Sequence, residues 1–224
     1  MKKSNRKQLI AYTNPNSPVS EQFKTIRTCI DFSSIDSNMQ TILVTSPEPG
    51  SGKSTIAANL AIVYAQQGKK ILLIDGDLRR PTVHKAFGKN MLCGLSSVLS
   101  NQIDLSEVCQ TTDIENLSVL TSGAIPPNPN EMLNSNKMTA VLADLKQQYD
   151  FIIIDTPPVT IVSDALVISK NVDGIILVTR YGITLKDKIK QAIEVINITH
   201  VPVLGTVLNG VSDKKDNYYH HVYE

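Results

Sequence analysis

Runs of Val, Ile and Leu punctuate this chain, each separated from the next by a stretch with helical periodicity. Apolar runs at 42–45, 71–74, 117–120, 151–154, 174–178 and 205–208 read as strands. They are nearly continuous rather than alternating, the pattern of parallel strands covered on both faces. Helix patterns run over 53–67, 131–148, 163–169 and 185–196, and another over about 20–32 precedes the first strand. Ile56, Leu60 and Tyr64 share one face of the 53–67 helix; Leu185, Ile189, Ile193 and Ile196 share one face of the 185–196 helix. The alternation predicts an α/β fold with a doubly wound, mostly parallel sheet.

A length of 224 residues suits one such domain with a full core. No internal repeat or low-complexity linker divides it. The segment 123–129 contains Pro126, Pro127 and Pro129 and reads as a stiff loop, since each Pro holds φ near one value. The expected organisation is a domain over 1–211 and a polar, mobile tail over 212–224.

The first strand runs into Pro47-Glu48-Pro49-Gly50-Ser51-Gly52-Lys53-Ser54-Thr55 and then into a helix. A strand, a Gly-containing loop and a helix start make a phosphate cradle, because free backbone N–H groups and the helix dipole face an anion. Gly50, Ser51, Gly52, Lys53, Ser54 and Thr55 are therefore the expected nucleotide-binding residues. Lys53 would reach the β- and γ-phosphates, and the Ser54 hydroxyl would ligate Mg²⁺. Pro47 stands where the plain motif has its first Gly.

Two further strand ends carry acid. The run at 71–74 ends in Asp75-Gly76-Asp77-Leu78-Arg79-Arg80, and the run at 151–154 ends in Asp155-Thr156-Pro157-Pro158. Ligands of open α/β sheets sit beyond the carboxyl ends of the strands, so Asp75 and Asp77 are expected to project into the crevice of the phosphate loop. The plain alternative is an Asp that caps a helix. Asp155 is the expected carboxylate on the Mg²⁺ side, with Asp77 near it. Asn209, at the end of the last strand, is expected to read an adenine edge; the alternative is a simple Asn-Gly turn.

Composition narrows the partners. A net charge of +1 implies no general attraction to nucleic acid. The cluster Lys2, Lys3, Arg6 and Lys7 is followed by no apolar stretch, which argues against a signal peptide. No run approaches the ~18 apolar residues that span a bilayer, so any membrane association is expected to come through a partner. Cys29, Cys93 and Cys109 form no close pair, which fits a reducing cytoplasm and packing roles. Three of the seven tyrosines, Tyr218, Tyr219 and Tyr223, fall in the last seven residues. Even spreading would put about 0.2 there. A polar tail offers little to bury them against, so they read as exposed phosphate acceptors or as a docking segment. The adjacent His220 and His221 read as solvated. Glu21, Lys24 and Arg27 share one helix face, either a solvated salt-bridged face or a subunit contact.

Together these features resemble the bacterial tyrosine kinases of capsule and exopolysaccharide synthesis, in the form where the cytoplasmic kinase is a separate chain. The resemblance spans nearly the whole sequence. It rests on the early Glu-x-x-Lys-x-x-Arg helix, the phosphate loop, Asp-x-Asp-x-Arg, Asp-Thr-Pro-Pro and the tyrosine tail. Lys24 stands where the family often has Arg, and a point charge cannot fork to a carboxylate. The resemblance implies a P-loop NTPase-like fold of the partitioning-ATPase superfamily, with ATP and Mg²⁺ as cofactors. It implies autophosphorylation of the tail in trans, with Asp75 accepting the tyrosine proton, within a homo-oligomeric ring to which Glu21, Lys24 and Arg27 contribute. It also implies activation by the cytoplasmic tail of a membrane polysaccharide co-polymerase, hence recruitment to the inner face of the membrane. Sugar-nucleotide dehydrogenases or glycosyltransferases are the implied protein substrates. The alternatives are a partitioning or cell-division ATPase and a non-catalytic scaffold of an export complex. The first would carry a lysine where this chain has Glu48.

Overall fold

The computed structural model describes residues 8–33 and 39–211. Tyr218, Tyr219, Tyr223 and the rest of the expected tail lie outside these residues. One sheet of seven strands organises the described chain: β1 (Thr41–Thr45), β2 (Ile71–Asp75), β3 (Cys109–Thr111), β4 (Leu117–Leu120), β5 (Phe151–Asp155), β6 (Gly174–Arg180) and β7 (Val203–Asn209). Their order is β3-β4-β2-β5-β1-β6-β7. All neighbours pair in parallel except β3, which runs antiparallel to β4 at one edge. The six expected strands are present. The short β3, Cys-Gln-Thr, carries no apolar run to announce it.

Nine helices accompany the described sheet: α1 (Ile10–Thr13), α2 (Pro18–Ser33), α3 (Lys53–Ala65), α4 (Val83–Phe87), α5 (Leu95–Leu99), α6 (Pro129–Leu133), α7 (Asn136–Lys146), α8 (Asp164–Ser169) and α9 (Lys186–Asn197). Successive strand residues point to opposite faces, which explains the continuous apolar runs. On one face Ile42, Val44, Leu73 and Ile153 pack with α2 and α3. On the other, Leu43, Leu72, Ile74 and Ile152 pack with α5, α7 and α9. The helix α3 is buried all round, from Ile56 to Ala65, because α1 and α2 cover the side that the sheet does not. Its Tyr64 ring stacks on Phe151 with centroids 4.4 Å apart.

Three expectations need correction. The pattern over 131–148 is two helices, broken where the Ser135 hydroxyl caps α7 by accepting from the Met138 N–H at 3.3 Å. Leu185 does not join the buried stripe of α9; it precedes the helix and is 66% exposed. Cys29 and Cys93 are exposed, so only Cys109, half-buried, packs as expected.

The registers decide where the chemistry converges. Val44 at the end of β1 pairs with Asp155, and Asp155 pairs with Asp75. The phosphate loop and both acidic strand ends therefore leave adjacent, central strands on the same side of the sheet.

Candidate active site

The phosphate loop is held in place by its carbonyls. Ser46 and Ser51 hydroxyls both donate to the Glu48 carbonyl, at 2.8 and 2.9 Å. Thr160 Oγ1 donates to the Pro47 carbonyl at 2.6 Å, Arg180 Nη1 to Gly50 at 2.8 Å and Asn209 Nδ2 to Ser51 at 2.9 Å. Gly52 starts α3 at φ +91°, a left-handed conformation that costs other residues energy. Among the described residues, the backbone N–H groups from Gly50 to Thr55 find no acceptor within the chain. Fixed carbonyls and unused donors at a helix start are what an anion site requires.

Lys53 lies at the centre. Its Nζ is 3.2 Å from Asp77 Oδ2, 3.5 Å from Asp155 Oδ1 and 3.3 Å from Ser54 Oγ. Burial disfavours the ammonium charge, but Asp155 and Asp77 together outweigh it and raise the lysine's pKa. Asp155 is fully buried, and neither of its oxygens has a hydrogen bond; Lys53 meets it as a charge only. Burial raises the Asp155 carboxyl above its ordinary value, and the Lys53 charge counters this in part. Asp77 also accepts from the Arg80 N–H at 2.9 Å, which turns the loop after β2.

Asp75 makes the helix-capping contacts that its position allowed. Its Oδ2 accepts from the N–H groups of Thr82 and Val83, at 3.0 and 2.9 Å, at the start of α4. Its Oδ1 is buried without a partner. Burial, and next the Asp155 charge, push this carboxyl up to about 7. Asp75 thus caps a helix with one oxygen, while the other is buried and unpaired.

Lys53, Ser54 and Asp77 border a cleft of about 650 Å³ whose walls also include Arg79, Pro158 and Ile161. Asp75 and Asp155 are fully buried and do not line it. Among the described residues, no group of three or more His, Cys, Asp or Glu side chains is arranged to hold a metal. The orphaned Asp155 oxygens beside Ser54 instead fit a hydrated Mg²⁺, which keeps several waters and takes phosphate oxygens as ligands.

Sequence reasoning missed several positioning residues. Arg79 forks onto Asp164, Nε to Oδ2 at 2.7 Å and Nη2 to Oδ1 at 3.1 Å, and Asn130 Nδ2 reaches the same Oδ1 at 3.2 Å. Asp164 is fully buried. Neither it nor Arg180 stands in a local motif, and only the fold brings them to the cleft. Asn209, expected at an adenine edge, has its amide nitrogen donating to the loop carbonyl of Ser51. On α2, Lys24 pairs with Glu21 at 2.6 Å on the exposed face. Arg27 turns inward, its Nη1 donating to the Val63 carbonyl of α3 at 2.8 Å.

Comparison with known proteins bears on this arrangement. Residues 39–202 match a family model described as an AAA domain. The chain is 45% identical over 214 residues to the tyrosine-protein kinase YwqD of Bacillus subtilis (strain 168), covering 96% of this chain and 90% of that protein. It superposes with a TM-score of 0.88 on the crystal structure of the chimerical protein CapA2B2, at 46% identity, covering 90% of this chain and 89% of the other. It superposes less closely, at a TM-score of 0.66 and 28% identity, on the septum site-determining protein MinD of Pyrococcus horikoshii OT3 complexed with Mg-ADP. That match covers 78% of this chain and 72% of the other.

Proposed function

The chain belongs to the bacterial tyrosine-protein kinases, and from that premise we propose that it phosphorylates Tyr218, Tyr219 and Tyr223 of neighbouring copies of itself, using Mg-ATP. The supporting observation is the meeting of Lys53, Asp77 and Asp155 beside a loop with unused N–H donors. Phosphoryl transfer needs positioning and charge neutralisation more than covalent chemistry.

In this reading the loop N–H groups from Gly50 to Thr55 orient the phosphates. Lys53 leaves its carboxylate partners to reach the β- and γ-phosphates. Ser54 would hold the Mg²⁺, with Asp77 and Asp155 near it. Bound Mg²⁺ supplies positive charge to the transferring group and eases loss of the phenol proton, whose free pKa is about 10. The tyrosine oxygen bonds to the γ-phosphorus, the bond to the β-phosphate oxygen breaks and ADP leaves. Asp75 takes the phenol proton on its free oxygen.

The wider role follows the family. We place this kinase in control of capsular or extracellular polysaccharide synthesis and export. The cytoplasmic tail of a membrane co-polymerase would recruit it to the inner face of the membrane and activate it. The described residues contain no helix long and apolar enough to cross a membrane. Each tail would enter the next copy's cleft in a closed ring. Sugar-nucleotide dehydrogenases or glycosyltransferases are its external substrates in this reading. Glu48 disfavours the partitioning ATPase, since a carboxylate cannot replace the lysine that contacts a neighbouring subunit's phosphates.

Mass spectrometry of the tail after incubation with Mg-ATP and the activating peptide tests this reading. Phosphotyrosine that is absent from Lys53→Met supports it. Steady ATP hydrolysis with no phosphotyrosine favours the partitioning ATPase, and nucleotide binding with neither product favours a scaffold.

A further inference from the structure

The cleft has more wall than a nucleotide's phosphates need. Beyond the phosphate loop, one wall is apolar, formed by Pro157, Pro158, Ile161 and Val162. Arg79 and Arg80 line the same cleft. Ile161 lines this cleft and is 61% exposed. An aliphatic side chain left in water on a mobile loop would carry little meaning. This loop is stitched down, however. Val159 N–H donates to Ser46 at 2.9 Å, Ile161 N–H to Pro158 at 3.1 Å, and Thr160 Oγ1 to Pro47. The phosphate loop and the apolar wall therefore form one rigid unit.

Arg79 is fixed in a comparable way. Its fork onto the buried Asp164 uses Nε and Nη2 and leaves Nη1 outside that pair. Asn130 braces the same carboxylate. A guanidinium held at a cleft edge by a buried carboxylate is a pre-positioned cation, which loses little freedom when it meets an anion.

We propose that Ile161, Pro158 and Arg79, which line one cleft, form the acceptor subsite, which takes a tyrosine with a carboxylate close by in sequence. The phenol ring lies on the apolar wall, as a flat apolar body with one polar tip requires. Arg79 pairs with the neighbouring carboxylate. The chain's own tail has that composition: Asp216 lies two residues before Tyr218, and Glu224 directly follows Tyr223. The inference rests on the kinase reading above and assigns specificity residues to it.

The test reads binding separately from transfer. A fluorescently labelled peptide with the sequence of residues 212–224 is titrated into the full chain with Mg²⁺ and a non-hydrolysable ATP analogue, and anisotropy is followed. A second peptide carries Asp216→Asn and Glu224→Gln. Ile161→Ser should weaken binding of the first peptide on the order of tenfold, the scale of one lost apolar contact in a specificity pocket, with nucleotide affinity unchanged. Arg79→Ala should abolish the preference for the first peptide over the second, and Arg79→Lys should restore it in part. Ile161→Ser changes an exposed side chain, whereas Arg79→Ala removes the cation that faces the buried Asp164. The fold of Arg79→Ala is therefore verified by urea unfolding, and Arg79→Ala/Asp164→Asn, which leaves no unpaired carboxylate, is titrated beside it. Equal peptide affinity in Ile161→Ser and wild type, or an intact preference in Arg79→Ala, overturns the subsite. A wild-type chain that binds the peptide as described but never phosphorylates it overturns the kinase reading and leaves the subsite standing.

Discussion

The side-chain amide of Asn209 donates to the Ser51 carbonyl across 2.9 Å, so the last strand of the sheet holds the phosphate loop in shape. The same nitrogen occupies the space where a Cβ on Gly52 would sit. Asn209 thus braces the phosphate loop.

Asn209→Ala should weaken ADP binding roughly fivefold, the worth of one net hydrogen bond of about 1 kcal/mol. Isothermal titration calorimetry with Mg-ADP measures it. An unchanged affinity would show that the loop keeps its shape without the brace.

Gly52→Ala should cost stability twice over. A left-handed φ of +91° costs an alanine about 1–2 kcal/mol, and its Cβ collides with Asn209. Combining Gly52→Ala with Asn209→Ala should recover the steric part and leave the backbone part. Urea unfolding of the single and double variants should therefore be non-additive.

Asp75 gives stability and activity opposite pH dependences. Its carboxyl is pushed up to about 7 in the folded chain, against about 4 when unfolded. The folded state binds more protons between these values. The contribution to stability is therefore full below about pH 4, falls as pH rises and levels off above about 7. Asp75→Asn should flatten that slope in urea unfolding from pH 4 to 8. As the base, Asp75 works only when deprotonated, so wild-type kcat/KM should rise through about pH 7 and Asp75→Asn should bind nucleotide but lose transfer.

Lys53→Met should do more than remove a phosphate ligand. It strands Asp155 and Asp77 as buried carboxylates without their cation. Breaking such a pair costs about 3 kcal/mol. The loss should be larger at pH 8 than at pH 5, because burial raises the Asp155 carboxyl and lets it take up a proton in place of the cation. Denaturation at both pH values checks this. A control variant used for kinase activity therefore needs its fold verified at the assay pH.

On α2, Arg27→Ala should lower stability by about 1–2 kcal/mol through loss of the Val63 hydrogen bond and of packing. Lys24→Ala should change it by less than about 0.5 kcal/mol, since its pair with Glu21 is exposed. If Lys24 instead serves a subunit contact, its substitution shifts oligomer mass in light scattering without shifting the unfolding midpoint.

The sequence by itself determined the parallel strands, the phosphate loop and the acidic strand ends. These are local: an apolar run of five residues, a Gly-Ser-Gly-Lys-Ser-Thr turn and an Asp after a buried strand are each visible within a short window. Helix 131–148 misled because its apolar period continues across Ser135, whose cap needs only one hydroxyl. The tertiary structure alone decided that Asp75 stands beside Asp155, which follows from strand order. It alone brought Asp164 to Arg79, Arg180 to Gly50 and Asn209 to Ser51, across separations of 85, 130 and 158 residues. No periodicity encodes such pairs, because they depend on which strands neighbour one another in the sheet. Burial also acts only after folding: it raises Asp75 towards neutrality and leaves Asp155 without hydrogen-bond partners, and the carboxylates named from sequence acquire these properties from the fold.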